Sequence, residues 1–226
     1  MRSISTDYLE QPGGLDRQPM RMTGALRDGY RPRAATIERS REIREAAARQ
    51  IAEQGLWRFS MLSLARWLNC LLPTLCYYYK KREELIADIV LRHVETLRVR
   101  TGLAMDEADD ASPAGELHAF AREYLLVAIA EQDFHRLMVH YSHVAGPVDG
   151  SAFLPRAESL RDMVEGRLTA HAPSLAGRPE SAQALSRAMI DTLSGAAIWM
   201  APYGVVKPVA YAAMVAGWVL DQAARS

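Results

Sequence analysis

Cysteine is scarce in this chain: among 226 residues there are only Cys70 and Cys76. Two cysteines cannot build a disulfide framework, and their confinement to one short stretch suits a reducing compartment. Long apolar runs are missing as well. The least charged stretch, Ile198 to Leu220, is interrupted by Pro202, Gly204, Lys207 and Pro208, and the piece after Pro208 is too short to span a bilayer. No apolar segment with positive flanks and a small-residue cleavage site opens the chain, so no secretory signal and no membrane partner is expected, and the cytoplasm is the expected location. The motifs of catalysis are also absent. There is no nucleophile elbow, no phosphate loop, no metalloprotease signature and no pair of Glu-x-x-His motifs for a di-metal site, so neither an enzyme nor a cofactor is expected. Strand-like alternation and internal repeats are lacking too, which leaves an all-α protein.

Neither charge is in excess over the whole chain, with 27 Lys/Arg against 27 Asp/Glu. The distribution is uneven. Residues 1–85 hold 15 basic and 10 acidic residues, and the remainder holds 12 and 17. A basic first portion joined to an acidic second one expects any polyanion at the first.

Residues 1–35 carry glycines, prolines and scattered arginines without helical period, and read as a flexible arm. Its arginines (Arg17, Arg21, Arg27, Arg31, Arg33) have the chemistry of minor-groove contacts, although an inert solvated tail is the plainer reading. From residue 36 the pattern turns helical. Ile43, Ala46, Ala47 and Ile51 recur at helix spacing, and Gly55 stands where a C-terminal cap belongs. Ser60 is an N-cap for a short helix with Leu64, Ala65 and Leu68. Asn69 tolerates a left-handed turn, and a third helix runs from Leu72 to Tyr79 with Pro73 in its first turn. Three residues between the second and third helices give the length of a helix-turn-helix. Longer helices follow, over Ile86–Leu97, Glu116–Ile129, Phe134–Val144, Leu154–Leu168, 180–201 and 208–224, joined by loops at 108–115, 145–151 and 172–179.

The segment Ile43–Leu85 resembles the DNA-binding domain of the tetracycline-repressor (TetR) family without a gap. The resemblance rests on Ile43, Ala46-Ala47, Ile51, Gly55, Ser60, Leu64-Ala65, Asn69-Cys70-Leu71, Thr74-Leu75-Cys76, Tyr79 and Arg82-Glu83-Glu84-Leu85. The departures are Asn69 for the turn glycine, Leu71 for the N-cap serine of the recognition helix, and Cys76 for a phosphate-binding tyrosine. The resemblance implies an N-terminal three-helix helix-turn-helix domain (36–85) and a C-terminal helical bundle (86–226) that binds an effector and forms a homodimer.

On double-stranded DNA, the third helix of such a motif enters the major groove. Leu72, Pro73, Thr74, Tyr77 and Tyr78 are then the base-facing candidates, with Ser60, Lys80, Lys81 and Arg82 on phosphates. Leu64, Ala65, Leu68, Leu75 and Tyr79 read as core. Leu62, Trp67, Leu71, Leu72 and Cys76 put apolar surface where solvent or DNA is expected, so a head that binds a protein partner is the alternative.

A redox pair at Cys70 and Cys76 is outweighed by their reading as small hydrophobes. His135, His140 and His143 crowd one helix, yet pocket or surface roles suit them better than a metal site; His93 and His118 are further cavity candidates. Leu97, Phe120, Tyr124, Phe134, Met138, Tyr141 and Trp199 are the candidate ligand-binding residues, which suits an apolar or aromatic small-molecule effector. Ala188, Ser194 and Ala197, with Ala212, Ala213 and Ala216, form small-residue stripes on the last two helices, read either as intramolecular core or as the dimer interface that the resemblance implies. The expected function is a regulator, a repressor, released from a palindromic operator by a ligand.

Overall fold

The computed structural model describes the backbone of residues 34–144, 153–203 and 207–226, with side chains from 36 to 140, 155 to 200 and 207 to 226. The arm arginines, the 145–151 loop and the side chains of Tyr141 and His143 lie outside the described residues. The chain divides into Met1–Glu38 and Arg39–Ser226, and every contact described below lies within the second unit.

Among the described residues the regular structure is all helical: α1 (Ala34–Gln54), α2 (Met61–Trp67), α3 (Leu72–Tyr78), α4 (Arg82–Asp106), α5 (Pro113–Ala130), α6 (Gln132–Val144), α7 (Phe153–His171), α8 (Pro179–Tyr203) and α9 (Pro208–Arg225). Two 3-10 turns, Leu56–Arg58 and Pro173–Gly177, complete it. No described helix is long and apolar enough to cross a membrane.

Local chemistry sets the breaks between the first helices. Gly55 takes φ 83°, a left-handed value that a Cβ would disfavour, and its N–H still bonds the Ile51 carbonyl at 2.8 Å. Ser60 then caps α2. Its hydroxyl accepts from the Ser63 N–H at 3.1 Å while the Ser63 hydroxyl accepts from the Ser60 N–H at 3.2 Å, a reciprocal capping box. Asn69 ends α2 with φ 49°. Around it the Cys70 N–H bonds the Ala65 carbonyl at 2.9 Å and the Asn69 N–H bonds that of Arg66 at 3.1 Å, the two bonds of a Schellman cap. Cys70 packs against the core at this cap, which is the role of a small hydrophobe.

The larger bundle is built round α5, which packs on α4, α7, α8 and α9, while α4 also meets α6 and α7. Phe120, Tyr124, Leu125, Leu97, Val164, Leu193 and Val219 are fully buried in its core. Ser112 caps α5 by accepting from the Gly115 N–H at 3.1 Å. A Cβ on Gly115 would fall 2.2 Å from the Asp110 carbonyl, so this loop closes only over glycine.

Candidate nucleic-acid interface and buried polar chain

The three-helix head places its residues much as their spacing implies. Leu64, Ala65, Leu75 and Tyr79 are buried, and Leu68 packs against them. Pro73, Thr74 and Tyr77 of α3 are exposed, whereas Leu72, Cys76 and Tyr78 are half-buried. Tyr77 rests edge-on against Tyr78 with ring centres 5.3 Å apart. Leu71 stands at the N-cap position of α3 without a side-chain cap and is 75% exposed. Trp57 (81%), Leu62 and Trp67 add to the exposed apolar surface of the head. Both cysteines are free thiols.

Between Leu56 and Arg82 the sequence carries Arg58, Arg66, Lys80, Lys81 and Arg82 and no acidic residue. Ser60, Arg58, Arg66, Lys80 and Lys81 are exposed. Arg82 also has a partner within the head. Its Nη2 donates to the Leu56 carbonyl at 2.5 Å and its guanidinium lies 5.8 Å from the Phe59 ring centre. Nε of Arg82 is buried without a hydrogen-bond partner. Arg82 therefore ties the start of α4 to the turn before α2, because a guanidinium can cap a carbonyl and stack on an aromatic at once.

A second tie fixes α3 to α4. The Tyr79 hydroxyl donates to Asp88 Oδ2 at 2.7 Å, and Arg44 of α1 reaches both at 3.3 and 3.4 Å. Asp88 Oδ1 also accepts from Arg92 at 2.9 Å. Burial first, and the Asp88 carboxylate second, push the Tyr79 phenol above its usual range. The phenol thus remains a donor. Sequence spacing placed Tyr79 in the core but gave no sign of its partner nine residues on.

In the larger bundle a buried polar chain crosses four helices. Nδ1 of His93 (α4) lies 2.8 Å from Glu131 Oε2, and its Nε2 lies 3.0 Å from Nδ1 of His135 (α6). Nε2 of His135 faces the Ser194 carbonyl (α8) at 3.3 Å, and the Ser194 hydroxyl lies 2.6 Å from that of Tyr124 (α5). His93 and His135 are both almost wholly buried. Three contacts join two terminal acceptors, a carboxylate and a carbonyl, through two imidazoles. Filling all three takes three protons, and two neutral rings supply two. Burial first, and the neighbouring His93 second, depress the His135 pKa to about 3, so its ring stays neutral. Burial likewise pushes the Tyr124 phenol up to about 12. The chain is linear, with both nitrogens of each ring spent on protein partners. No cluster able to hold a metal occurs among the described residues.

Several residues offered for a ligand surround this chain. Phe134 stacks on His93 at 6.5 Å, Tyr124 meets His135 edge-on at 6.0 Å, and Phe120 stacks on Tyr124 at 5.9 Å. Leu97 and Met138 are buried one turn along from His93 and His135. Trp199 is not buried with them. It is 40% exposed and lies edge-on to Tyr211 of α9 at 5.7 Å. The sequence singled out His93 and His135 by type but not as a pair; forty-two residues separate them, and only the fold closes that distance.

The small-residue stripes fall mostly to the first of their two readings, core within the chain. Ser194, Ala197, Ala212 and Ala216 are buried within the chain, whereas Val209, Met214 and Trp218 of α9 are exposed. Four of the six stripe residues thus pack α8 and α9 inside one chain, while Ala188 is half-buried and Ala213 lies exposed on the free face of α9 beside Met214 and Trp218.

No protein-family model and no curated protein matches the chain. Solved structures do. A TetR-family regulator of Bordetella parapertussis is 21% identical, with a TM-score of 0.72 over 80% of this chain and 94% of the other. A regulatory protein in the TetR family from Rhodococcus RHA1 is 17% identical, with a TM-score of 0.71 over 81% and 96%. AibR, solved in complex with isovaleryl coenzyme A and operator DNA, is 19% identical, with a TM-score of 0.67 over 80% and 97%. Helix-turn-helix head and helical bundle together define the class: the chain has the fold of the TetR-family transcriptional regulators.

Proposed function

We propose that this protein is a DNA-binding transcriptional regulator, acting in the cytoplasm as a homodimer on a palindromic operator and released from it by a small apolar or aromatic ligand. The observation that carries the reading is the head. It joins a Schellman turn at Asn69 to an exposed face of Pro73, Thr74 and Tyr77, within a segment that holds five cations and no anion. Residues 36–85 form the reading head and 86–226 the effector and dimer domain in this account.

Release works through α4. Asp88, which holds Tyr79 of the recognition helix, and His93, which starts the buried chain, sit five residues apart on that helix, about 7.5 Å along its axis. A ligand that prefers one arrangement of α4, α5 and α6 shifts the population of head positions by its differential affinity. Among the solved structures of this fold, AibR with isovaleryl coenzyme A and operator DNA shows that the architecture serves both ligand and DNA in that protein. For this chain the ligand site lies round Phe120, Tyr124, Phe134 and Met138, and the regulator is a repressor.

A second reading follows from one observation: Trp57 and Leu71 are more exposed than a phosphate-binding head requires. In it, the head docks on a protein partner and reads no sequence. Fluorescence anisotropy with the full-length protein and its own upstream intergenic DNA, over a salt series with competitor DNA, separates the two. Tight binding that survives competitor and weakens with salt is expected. Binding no better than to random DNA would overturn the regulator reading and favour the protein partner.

A further inference from the structure

The recognition helix has a specific deficit. From Cys70 to Tyr79 there is no Arg, Lys, His, Asn, Gln, Asp or Glu. Those side chains supply the polar readings of three bases: Arg or Lys on the O6 and N7 of guanine, Asn or Gln on the N6 and N7 of adenine, Asp or Glu on the N4 of cytosine. What the helix does present is carbon and two hydroxyls. Leu71, Pro73, Thr74 and Tyr77 are exposed. Pro73 and Tyr77 are four residues apart and Thr74 and Tyr77 three, so they share one face, while Leu75 and Tyr79 hold the opposite side in the core. The only major-groove feature of a base that rewards carbon is the C5-methyl of thymine. The cations lie outside this face: Arg58 in the turn before α2, Arg66 on α2, Lys80 and Lys81 beyond the end of α3. They are placed to grip phosphates and set register without reading sequence.

We propose that this head identifies its operator by thymine methyl groups, with Leu71, Pro73, Thr74 and Tyr77 as the specificity-determining residues and a thymine-rich core in each half-site. The inference rests on the DNA-binding reading above. Leu71 and Pro73 lie at the N-terminal end of α3, the part of a recognition helix that reaches base edges. Each methyl covered removes apolar surface from water on both partners. The hydroxyls of Thr74 and Tyr77 supply the hydrogen bonds that orient the face on neighbouring O4 or phosphate oxygens. Tyr77 is held in position for this by its edge contact with Tyr78.

The first arm of the test uses the parent protein alone. Full-length protein selects its preferred duplex from a random-sequence DNA pool, and each thymine of that duplex is then replaced singly by deoxyuridine, which differs only by the absent methyl. Substitution in the half-site core is expected to weaken binding by about fourfold per methyl, and substitution in the flanks to leave it unchanged. Leu71→Ser and Thr74→Ser, both at exposed positions, are expected to keep the helicity of the parent and to lose the thymine-over-uracil preference at the position each one reads. An enriched duplex that binds equally well with uracil at every thymine overturns the inference and leaves the DNA-binding reading standing. Recovery of no enriched sequence overturns both.

Discussion

His135 shows what burial does to a single side chain. It is fully enclosed, its pKa is depressed to about 3 from the ordinary 6.5 by burial and by His93, and the Ser194 carbonyl opposes the shift only weakly. Between those two values the unfolded chain holds a proton on this ring that the folded chain does not. Stability therefore rises with pH across that window and is lost as the pH falls through it. The other ionisable groups facing the ring are His93 and Glu131 along the chain and Tyr124 on α5, with Asp191 of α8 acting on Tyr124. Urea midpoints measured at pH 7.5 and pH 5 are expected to fall on acidification, and His135→Gln to reduce that fall. An unchanged pH slope in the variant would assign the acid sensitivity to other groups. Leu71 gives the opposite lesson: its helix forgoes an N-cap worth about 1 kcal/mol, and a large apolar side chain stands in the solvent instead.

At the scale of the element, α3 is too short to persist by its own propensity, with seven residues, Pro73 at its start and no side-chain cap. It is held by Leu75 in the core and by the bond from Tyr79 to Asp88 on α4. Removing the phenol with Tyr79→Phe keeps the ring and leaves Asp88 and Arg44 without their shared partner. The expected loss is about 1–2 kcal/mol of unfolding free energy in chemical denaturation. If the regulator reading holds, operator affinity falls with it, because the recognition helix loses its tether. A variant as stable as the parent would mean that Arg44 and Asp88 close up on each other. The Arg82 bond to the Leu56 carbonyl anchors the other side of the head in the same way.

For the whole molecule, α9 carries the argument. One face buries Ala212, Val215, Ala216, Val219, Leu220 and Ala223 within the chain, and the other exposes Val209, Met214 and Trp218. A helix that is apolar on both faces is usually a buried one, and here Val209, Met214 and Trp218 are half or more exposed among the described residues. A second copy of the chain is the cover that the proposed function requires. Sedimentation at micromolar concentration is expected to give a dimer for the parent and a monomer of undiminished helicity for Trp218→Asp. A parent that sediments as a monomer would remove the basis for two heads on a palindrome.

The sequence by itself determined the helical character, the order of the elements and the inner face of the head. Helix period, Ser60, Asn69 and Pro73 act within one or two turns of chain, so their effects are written locally. The breaks at Gly55 and Asn69, the cap at Ser60 and the burial of Leu64, Ala65 and Leu75 were all legible there. Only the tertiary structure decided which polar groups meet. The bonds joining His93 to His135, Tyr124 to Ser194 and Arg82 to Leu56 close 42, 70 and 26 residues of sequence. It also decided which face of α9 is spent inside the chain, turning Ala212 and Ala216 inward and leaving Ala213, Met214 and Trp218 out. Such pairings depend on how helices cross, and crossing is set by the packing of whole faces, which no single helix carries in its own periodicity.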